Sequence, residues 1–194
     1  MTGLAVERHC GTIARVAKIV DFQMLTQEQL KQHAALGITS EYAARQLPFY
    51  TEATELVDVG ANIVGRMQRL TPTAAGRWQQ MVNAASEDGQ TLLIVSGYRS
   101  FDYQAALIQK KLAAGQSIDE ILRVNAAPGY SEHHSGRAVD VAVPGSPPLT
   151  ELFESSAAFA WLTESADQFG FKMSYPRDNS AGFVYEPWHW ALQE

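Results

Sequence analysis

The 194-residue sequence predicts an α+β domain: a small central antiparallel sheet flanked by helices that come mostly from the N-terminal half. Two patterns lead to this prediction. Apolar residues recur at helical spacing in much of the first 114 residues, and short strand-like runs become frequent after the turn-rich stretch 126–129. The chain is 46% hydrophobic, and its length suffices for one substantial hydrophobic core but is rather short for two. We therefore expect one domain over 1–194, with residues 1–70 as a helical extension packed on a core at 90–192.

Helices are predicted where a capping residue precedes apolar residues spaced by three and four positions. Thr71 and Pro72 provide a cap and a first-turn proline for an amphipathic helix that ends at Gly89. A capping box, Ser117 to Glu120, opens a short helix. The other predicted helices span 26–37, 100–114 and 159–170.

Four segments are predicted as strands because β-branched, apolar and aromatic residues dominate them between turn residues: 91–95, 137–143, 171–175 and 183–185. In the second of these, Val139 and Val141 share one face, since side chains alternate along a strand. Asp140 lies on the opposite face between two alanines, which leave it little covered.

Composition and charge exclude several kinds of partner. Fifteen Lys and Arg against 21 Asp and Glu give a net charge of −6, which argues against nucleic-acid phosphates or anionic lipid as ligands. No apolar run is long enough for a membrane span, and charged residues interrupt residues 1–20, unlike a secretory signal. The single cysteine, Cys10, cannot form an internal disulfide. We therefore expect a cytoplasmic protein with a small ligand.

Three of the five histidines lie in two short segments that also carry acidic residues. His133, Asp140 and His189 offer two imidazoles and one carboxylate, the donor set of a hydrolytic zinc site that leaves a position for water. Gly136 allows the chain to turn between the first two ligands. Glu186 shares a side with His189 only if Pro187 bends the chain into a tight turn, and it is then suited to act as a base toward water.

Three motifs of this chain resemble those of the zinc-dependent D-alanyl-D-alanine carboxypeptidases of the VanY type. They are Ser96-Gly97-Tyr98-Arg99-Ser100 followed by Gln104, Ser131-x-His133-x-x-Gly136-x-Ala138-x-Asp140, and Glu186-x-Trp188-His189. The resemblance implies one zinc ion held by His133, Asp140 and His189, with Glu186 as the catalytic base. It also implies a substrate-holding group made of Arg99, Gln104 and Ser131.

The resemblance further implies a peptidoglycan stem peptide or muropeptide as substrate. A guanidinium at a strand-to-helix junction, such as Arg99, is suited to clamp the free carboxylate of such a peptide. Because no export signal is seen, we expect an L,D-carboxypeptidase that removes D-Ala from tetrapeptides during recycling of wall fragments. D,D-carboxypeptidase activity on pentapeptides, or D,D-dipeptidase activity, is the alternative.

Two other classes of protein use a similar donor set. Non-haem iron oxygenases bind metal through two histidines and a carboxylate, but the seven-residue spacing of His133 and Asp140 is unusual for them, and Glu186 would lack a task. A zinc module that only binds wall fragments has no need of a base. Beside the ligands, we expect Glu132 to be solvated and His134 to support the site or face solvent.

Overall fold

The fold is described from a computed structural model that covers residues 25–43 and 45–193, so Cys10 lies outside the described residues. The helices are α1 (Gln27–Ala35), α2 (Ser40–Ala43), α3 (Pro72–Glu87), α4 (Phe101–Ala113), α5 (Ile118–Leu122) and α6 (Ala157–Ser165). The strands are β1 (Val57–Ala61), β2 (Met67–Leu70), β3 (Leu93–Ser96), β4 (Ala138–Ala142), β5 (Phe171–Met173) and β6 (His189–Leu192). Short 3₁₀ turns occupy Glu132–Ser135, Glu151–Ser155 and Ala166–Phe169. This mixture of helices and small antiparallel sheets confirms the predicted α+β class.

The central sheet has four strands in the order β3-β4-β6-β5, and all neighbours are antiparallel. Its register pairs Ser96 with Asp140 and Asp140 with His189. Paired residues on adjacent strands project from the same face. The register therefore brings two predicted metal ligands together from positions that are 49 residues apart in sequence.

The opposite face of β4 packs into the main hydrophobic core. Val139 and Val141 are fully buried there with Trp78 and Met81 of α3 and with Leu162 of α6. Burial of each such side chain contributes about 1.5–3 kcal/mol to stability. The strand that carries Asp140 is thus anchored by its apolar face, as its alternating pattern predicts.

The segment 183–185 was predicted as a strand, and this prediction is wrong. Its backbone forms hydrogen bonds with groups outside the sheet. Phe183 N–H donates to the Asn179 side chain, and Val184 N–H donates to the Arg123 carbonyl. The fourth strand of the sheet is β6, which begins at His189. Aromatic and β-branched residues indicated a strand here, but side-chain bonding from Asn179 decides the local structure.

The prediction of a helical extension over 1–70 is also wrong for its last part. Helices α1 and α2 are present, but β1 and β2 form a hairpin at residues 57–70. The Asn62 side chain accepts hydrogen bonds from the backbone N–H groups of Val64 and Arg66, which fixes the turn. In the part of the chain that is described, no helix is long and apolar enough to cross a membrane.

Candidate active site

His133 lies in the 3₁₀ turn that precedes β4. Gly136 ends this turn in the left-handed conformation, with φ 65°. A Cβ at Gly136 would approach side-chain atoms of Ala53, Leu56 and Thr71 to 3.1–3.2 Å. Both the backbone angle and this close packing favour glycine, so the sequence at this position directs the chain from His133 into β4.

The three predicted metal ligands converge on one point. Ligand atoms of His133, Asp140 and His189 all lie within 4.8 Å of one another, and all three residues are buried. His133 Nε2 is 3.2 Å from one carboxylate oxygen of Asp140, and His189 Nδ1 is 3.1 Å from the other. A carboxylate between two imidazole nitrogens is an arrangement that can hold a divalent cation.

The tautomer of His133 supports a metal at this point. Its Nδ1–H donates to the Gly97 carbonyl oxygen at 2.7 Å, which leaves a lone pair on Nε2. That buried Nε2 atom has no hydrogen-bond partner among the described residues, although it faces the Asp140 carboxylate. Burial and the nearby Arg99 charge lower the pKa of His133 to about 4, so the ring is neutral at pH 7. Two facing electron-rich atoms are stabilised by a cation between them, and the residues therefore fit a metal ion.

Glu132 orients His189 from the opposite side, contrary to the prediction that it is solvated. His189 Nε2–H donates to Glu132 Oε2 at 2.7 Å, and Tyr50 O–H donates to Glu132 Oε1 at 3.2 Å. Burial would lower the pKa of His189, but hydrogen bonds to Asp140 and Glu132 raise it to about 10. Burial opposes ionisation of Glu132 too, yet the bond from His189 lowers its pKa to about 2. With Nε2–H engaged in this way, Nδ1 points at the metal position.

A tight turn follows Glu186 and brings it beside the predicted metal position, which meets the condition that the sequence set for this residue. His189 N–H donates to the Glu186 carbonyl at 3.1 Å, and Glu186 N–H donates to the Tyr175 carbonyl at 3.0 Å. The Glu186 carboxylate is 4.0 Å from His189 Nδ1. Burial raises the pKa of Glu186 to about 7, a value that suits a group that both accepts and donates a proton.

Arg99 follows the end of β3 and contacts Asp140, one of the three predicted metal ligands. Its Nε–H donates to Ser96 Oγ at 2.8 Å, and its Nη2 donates to the Asp140 carboxylate. Burial would raise the pKa of Asp140, but the charges of His133 and Arg99 hold it well below the usual range. Arg99 therefore helps to keep Asp140 ionised and lies next to the predicted metal position.

Gln104 and Ser131 complete the predicted set, and both are buried at the wall of the same cavity. Gln104 Nε2–H donates to the Ala126 carbonyl at 2.8 Å, and the Gln104 Oε1 atom finds no partner within the described ranges. The cavity has a volume of about 170 Å³. All seven predicted site residues line it: Arg99, Gln104, Ser131, His133, Asp140, Glu186 and His189.

His134 does not face this cavity. It is fully buried, where its Nε2 accepts from Gly129 N–H at 3.0 Å and its Nδ1–H donates to the Arg99 carbonyl at 2.7 Å. Its ring also stacks on Phe101 at a centroid distance of 5.5 Å. His134 therefore supports the site by joining the 3₁₀ turn that carries His133 to the start of α4.

Sequence reasoning missed two other residues of the cavity, Tyr175 and Lys111. The Tyr175 ring lies 4.8 Å from the His189 ring, centroid to centroid, and burial raises the pKa of its hydroxyl. Tyr175 gave no sequence signal beyond its place at the end of a predicted strand. Lys111 does give one, because it lies seven residues after Gln104 and thus on the same face of a helix.

Comparisons with known proteins identify the family of this chain. The family model of VanY, D-alanyl-D-alanine carboxypeptidase, matches residues 67–193. A D-alanyl-D-alanine carboxypeptidase from Enterococcus faecium is 33% identical over 174 residues, which are 85% of this chain and 52% of that protein. The chain spans about half the length of such curated relatives.

Two solved structures show the same fold. The LdcB LD-carboxypeptidase is 31% identical, has a TM-score of 0.65, and is matched over 75% of this chain and 71% of its own. A mutant of the vancomycin-resistance D,D-pentapeptidase VanY, in complex with Zn(II), is 28% identical with a TM-score of 0.57, over 72% and 79% of the two chains. Because the family model covers more than half of the sequence, this chain belongs to the VanY D-alanyl-D-alanine carboxypeptidase family.

Proposed function

We propose that this chain is a zinc-dependent carboxypeptidase that removes the C-terminal D-Ala from peptidoglycan stem peptides. The observation that carries the proposal is the buried cluster of His133, Asp140 and His189 with Glu186 beside it. A module that only binds wall fragments would not need a carboxyl group with a pKa of about 7 at this position. Zinc in the complex of the related VanY supports the choice of metal.

His133 Nε2, one Asp140 oxygen and His189 Nδ1 would hold the zinc ion. When bound there, zinc would act as a Lewis acid that polarises the scissile carbonyl and lowers the pKa of water to about 7. Glu186 takes the proton of the attacking water and passes it to the leaving amine. Its side chain is buried at the wall of the cavity, next to the predicted metal ligands.

Arg99, Gln104 and Ser131 are proposed to hold the substrate around the scissile bond. Arg99 lies next to the metal ligand Asp140, where a guanidinium stabilises negative charge that develops on the carbonyl oxygen. Gln104 Oε1 offers an acceptor that a substrate N–H can satisfy. Ser131, two residues before His133, has a hydroxyl that can donate to a substrate oxygen.

We propose L,D-carboxypeptidase activity on tetrapeptides as the specific reaction. The similarity to the LdcB LD-carboxypeptidase, at 31% identity and a TM-score of 0.65, supports it. D,D-carboxypeptidase activity is the second candidate. It is favoured by the Enterococcus faecium relative and by the related VanYB, whose structure contains D-Alanine-D-Alanine.

Incubation of the zinc-loaded protein with stem tri-, tetra- and pentapeptides, followed by mass analysis, tests both candidates. Loss of one alanine from the tetrapeptide alone supports the L,D reaction. Loss from the pentapeptide alone establishes the D,D reaction instead. If no peptide is shortened, the carboxypeptidase proposal fails. Metal analysis of protein purified without added metal separates zinc from the iron of an oxygenase.

A further inference from the structure

Helix α4 presents a second polar residue to the cavity besides Gln104. Gln104, Ile108 and Lys111 are spaced by four and three residues, so they lie on one face of the helix. Ile108 is fully buried under this face, whereas Gln104 and Lys111 both line the cavity. Because helical side chains lean toward the N-terminus, the long Lys111 side chain extends back toward Gln104.

Lys111 is a partly buried cation without a carboxylate partner in the described part of the chain. Its Nζ donates to the Asn125 side-chain carbonyl, a neutral group. Burial and the charge of Arg99 lower the pKa of Lys111, and the Glu186 carboxylate raises it. Uncharged residues, among them Val124, Asn125, Ala126 and Leu149, also line this cavity. The positive charge of Lys111 thus remains available to a ligand.

The other cation of the cavity is already engaged next to the metal position. Arg99 donates from Nε to Ser96 and from Nη2 to Asp140. In a substrate that loses one C-terminal residue, the free carboxylate lies about 4 Å beyond the scissile carbonyl, one residue along the chain. A carbonyl placed beside Asp140 therefore directs the carboxylate away from the metal cluster, where a second cation is needed.

We propose that Lys111 binds the free carboxylate at the C-terminus of the substrate. The proposal rests on the carboxypeptidase function proposed above and names the group that restricts it to chain ends. Arg99 then acts at the scissile carbonyl instead of at the free carboxylate, the group that the sequence suggested for it, and Lys111 binds the terminal charge one residue away. An endopeptidase substrate, which has an amide at this position, would leave Lys111 without a charged partner.

Binding of paired probes tests this role. The probes are acetyl-L-Lys-D-Ala and acetyl-D-Ala-D-Ala, each as free acid and as C-terminal amide, and the protein is the zinc-loaded Glu186→Gln variant, which prevents turnover. We expect the acid to bind at least tenfold tighter than the amide in one pair, since a charge-assisted hydrogen bond is lost in the amide. Adding Lys111→Met should bring this ratio close to one.

Two control variants separate charge from structure. Lys110→Met removes an exposed neighbouring charge and should leave the acid-to-amide ratio unchanged. Lys111→Arg keeps the positive charge and should retain most of the preference, and thermal unfolding checks that each variant is folded. A ratio that survives Lys111→Met, or an absence of any acid preference with Lys111 present, overturns the proposal.

The peptide series and the probe binding can fail separately. If the wild-type protein shortens D-Ala peptides but Lys111→Met keeps the acid preference, the function stands and the role of Lys111 is wrong. If no peptide is shortened but the preference depends on Lys111, the carboxylate site stands and the proposed reaction is wrong.

Discussion

Two walls of the cavity differ in how their polar groups are satisfied. On the sheet wall, formed by His133, Asp140 and His189, the side chains are buried and contact one another. On the helix wall, formed by Gln104 and Lys111, one acceptor lacks a described partner and one cation meets only a neutral amide. A wall with pre-arranged charges is suited to chemistry, and a wall with unmet polar groups is suited to recognition. Substitutions on the sheet wall should therefore change turnover or zinc binding, and substitutions on the helix wall should change substrate binding.

The largest expected effect comes from Glu186, next to the sheet wall. Glu186→Gln removes the group that moves protons while it keeps the size and most of the packing of the side chain. We expect kcat for D-Ala release to fall by about 10²–10⁴-fold, the usual contribution of a general base. Zinc content, measured on the same sample, should remain at one ion per chain. Near-normal turnover by this variant would show that Glu186 is not the base.

The sheet wall also predicts how zinc binding depends on pH. Without metal, Asp140 and Glu132 raise the pKa of His189 to about 10, so its ring is protonated at pH 7. Zinc requires the Nδ1 lone pair and must displace this proton, whereas His133, with a pKa of about 4, is already neutral. The apparent Kd for zinc should therefore fall about tenfold for each pH unit gained below pH 10.

Chelator-buffered titrations at pH 7.5, 8.2 and 8.9 measure this slope. The range starts above the pKa of about 7 of Glu186, so that ionisation of this carboxyl adds little to the result. A Kd that does not change with pH would mean that His189 is neutral in the metal-free protein. Binding of the acid probe at the helix wall should not show this slope once zinc is saturating.

The sheet wall could be predicted largely from sequence, and the reason lies in β4. Alternation along this strand directs Val139 and Val141 into the core, and so it directs Asp140 to the other face. The turn after Glu186 was weighed from the sequence as a condition, with Pro187 as the residue that could bend the chain. These features depend on neighbours in sequence, and local rules are sufficient for them.

Contacts that depend on distant pairing could not be predicted in this way. Glu132 meets His189 across 57 residues, through a register that only the folded sheet defines. The false strand at 183–185 has this origin in part, since Val184 N–H donates to the distant Arg123 carbonyl, whereas the bond from Phe183 N–H to the Asn179 side chain is local. Lys111 was within reach of sequence reasoning, because its spacing from Gln104 matches a helix face.

The smallest expected effect is a change in zinc affinity on substitution of Glu132. This residue accepts a hydrogen bond from His189 Nε2–H on the side of the ring away from the metal position. Glu132→Leu removes the acceptor for His189 Nε2–H, so the ring loses the bond that points Nδ1 at the metal. Relative to Glu132→Gln, loss of this supporting bond in Glu132→Leu should weaken metal affinity by about 10–100-fold. Glu132→Gln removes the same negative charge but keeps an acceptor oxygen, so the difference in zinc Kd between these two variants reports the orientation of His189 alone. Equal zinc affinity in both variants would mean that Glu132 acts only through its charge, and an unchanged acid-to-amide ratio in both would confirm that the helix wall reads the substrate independently.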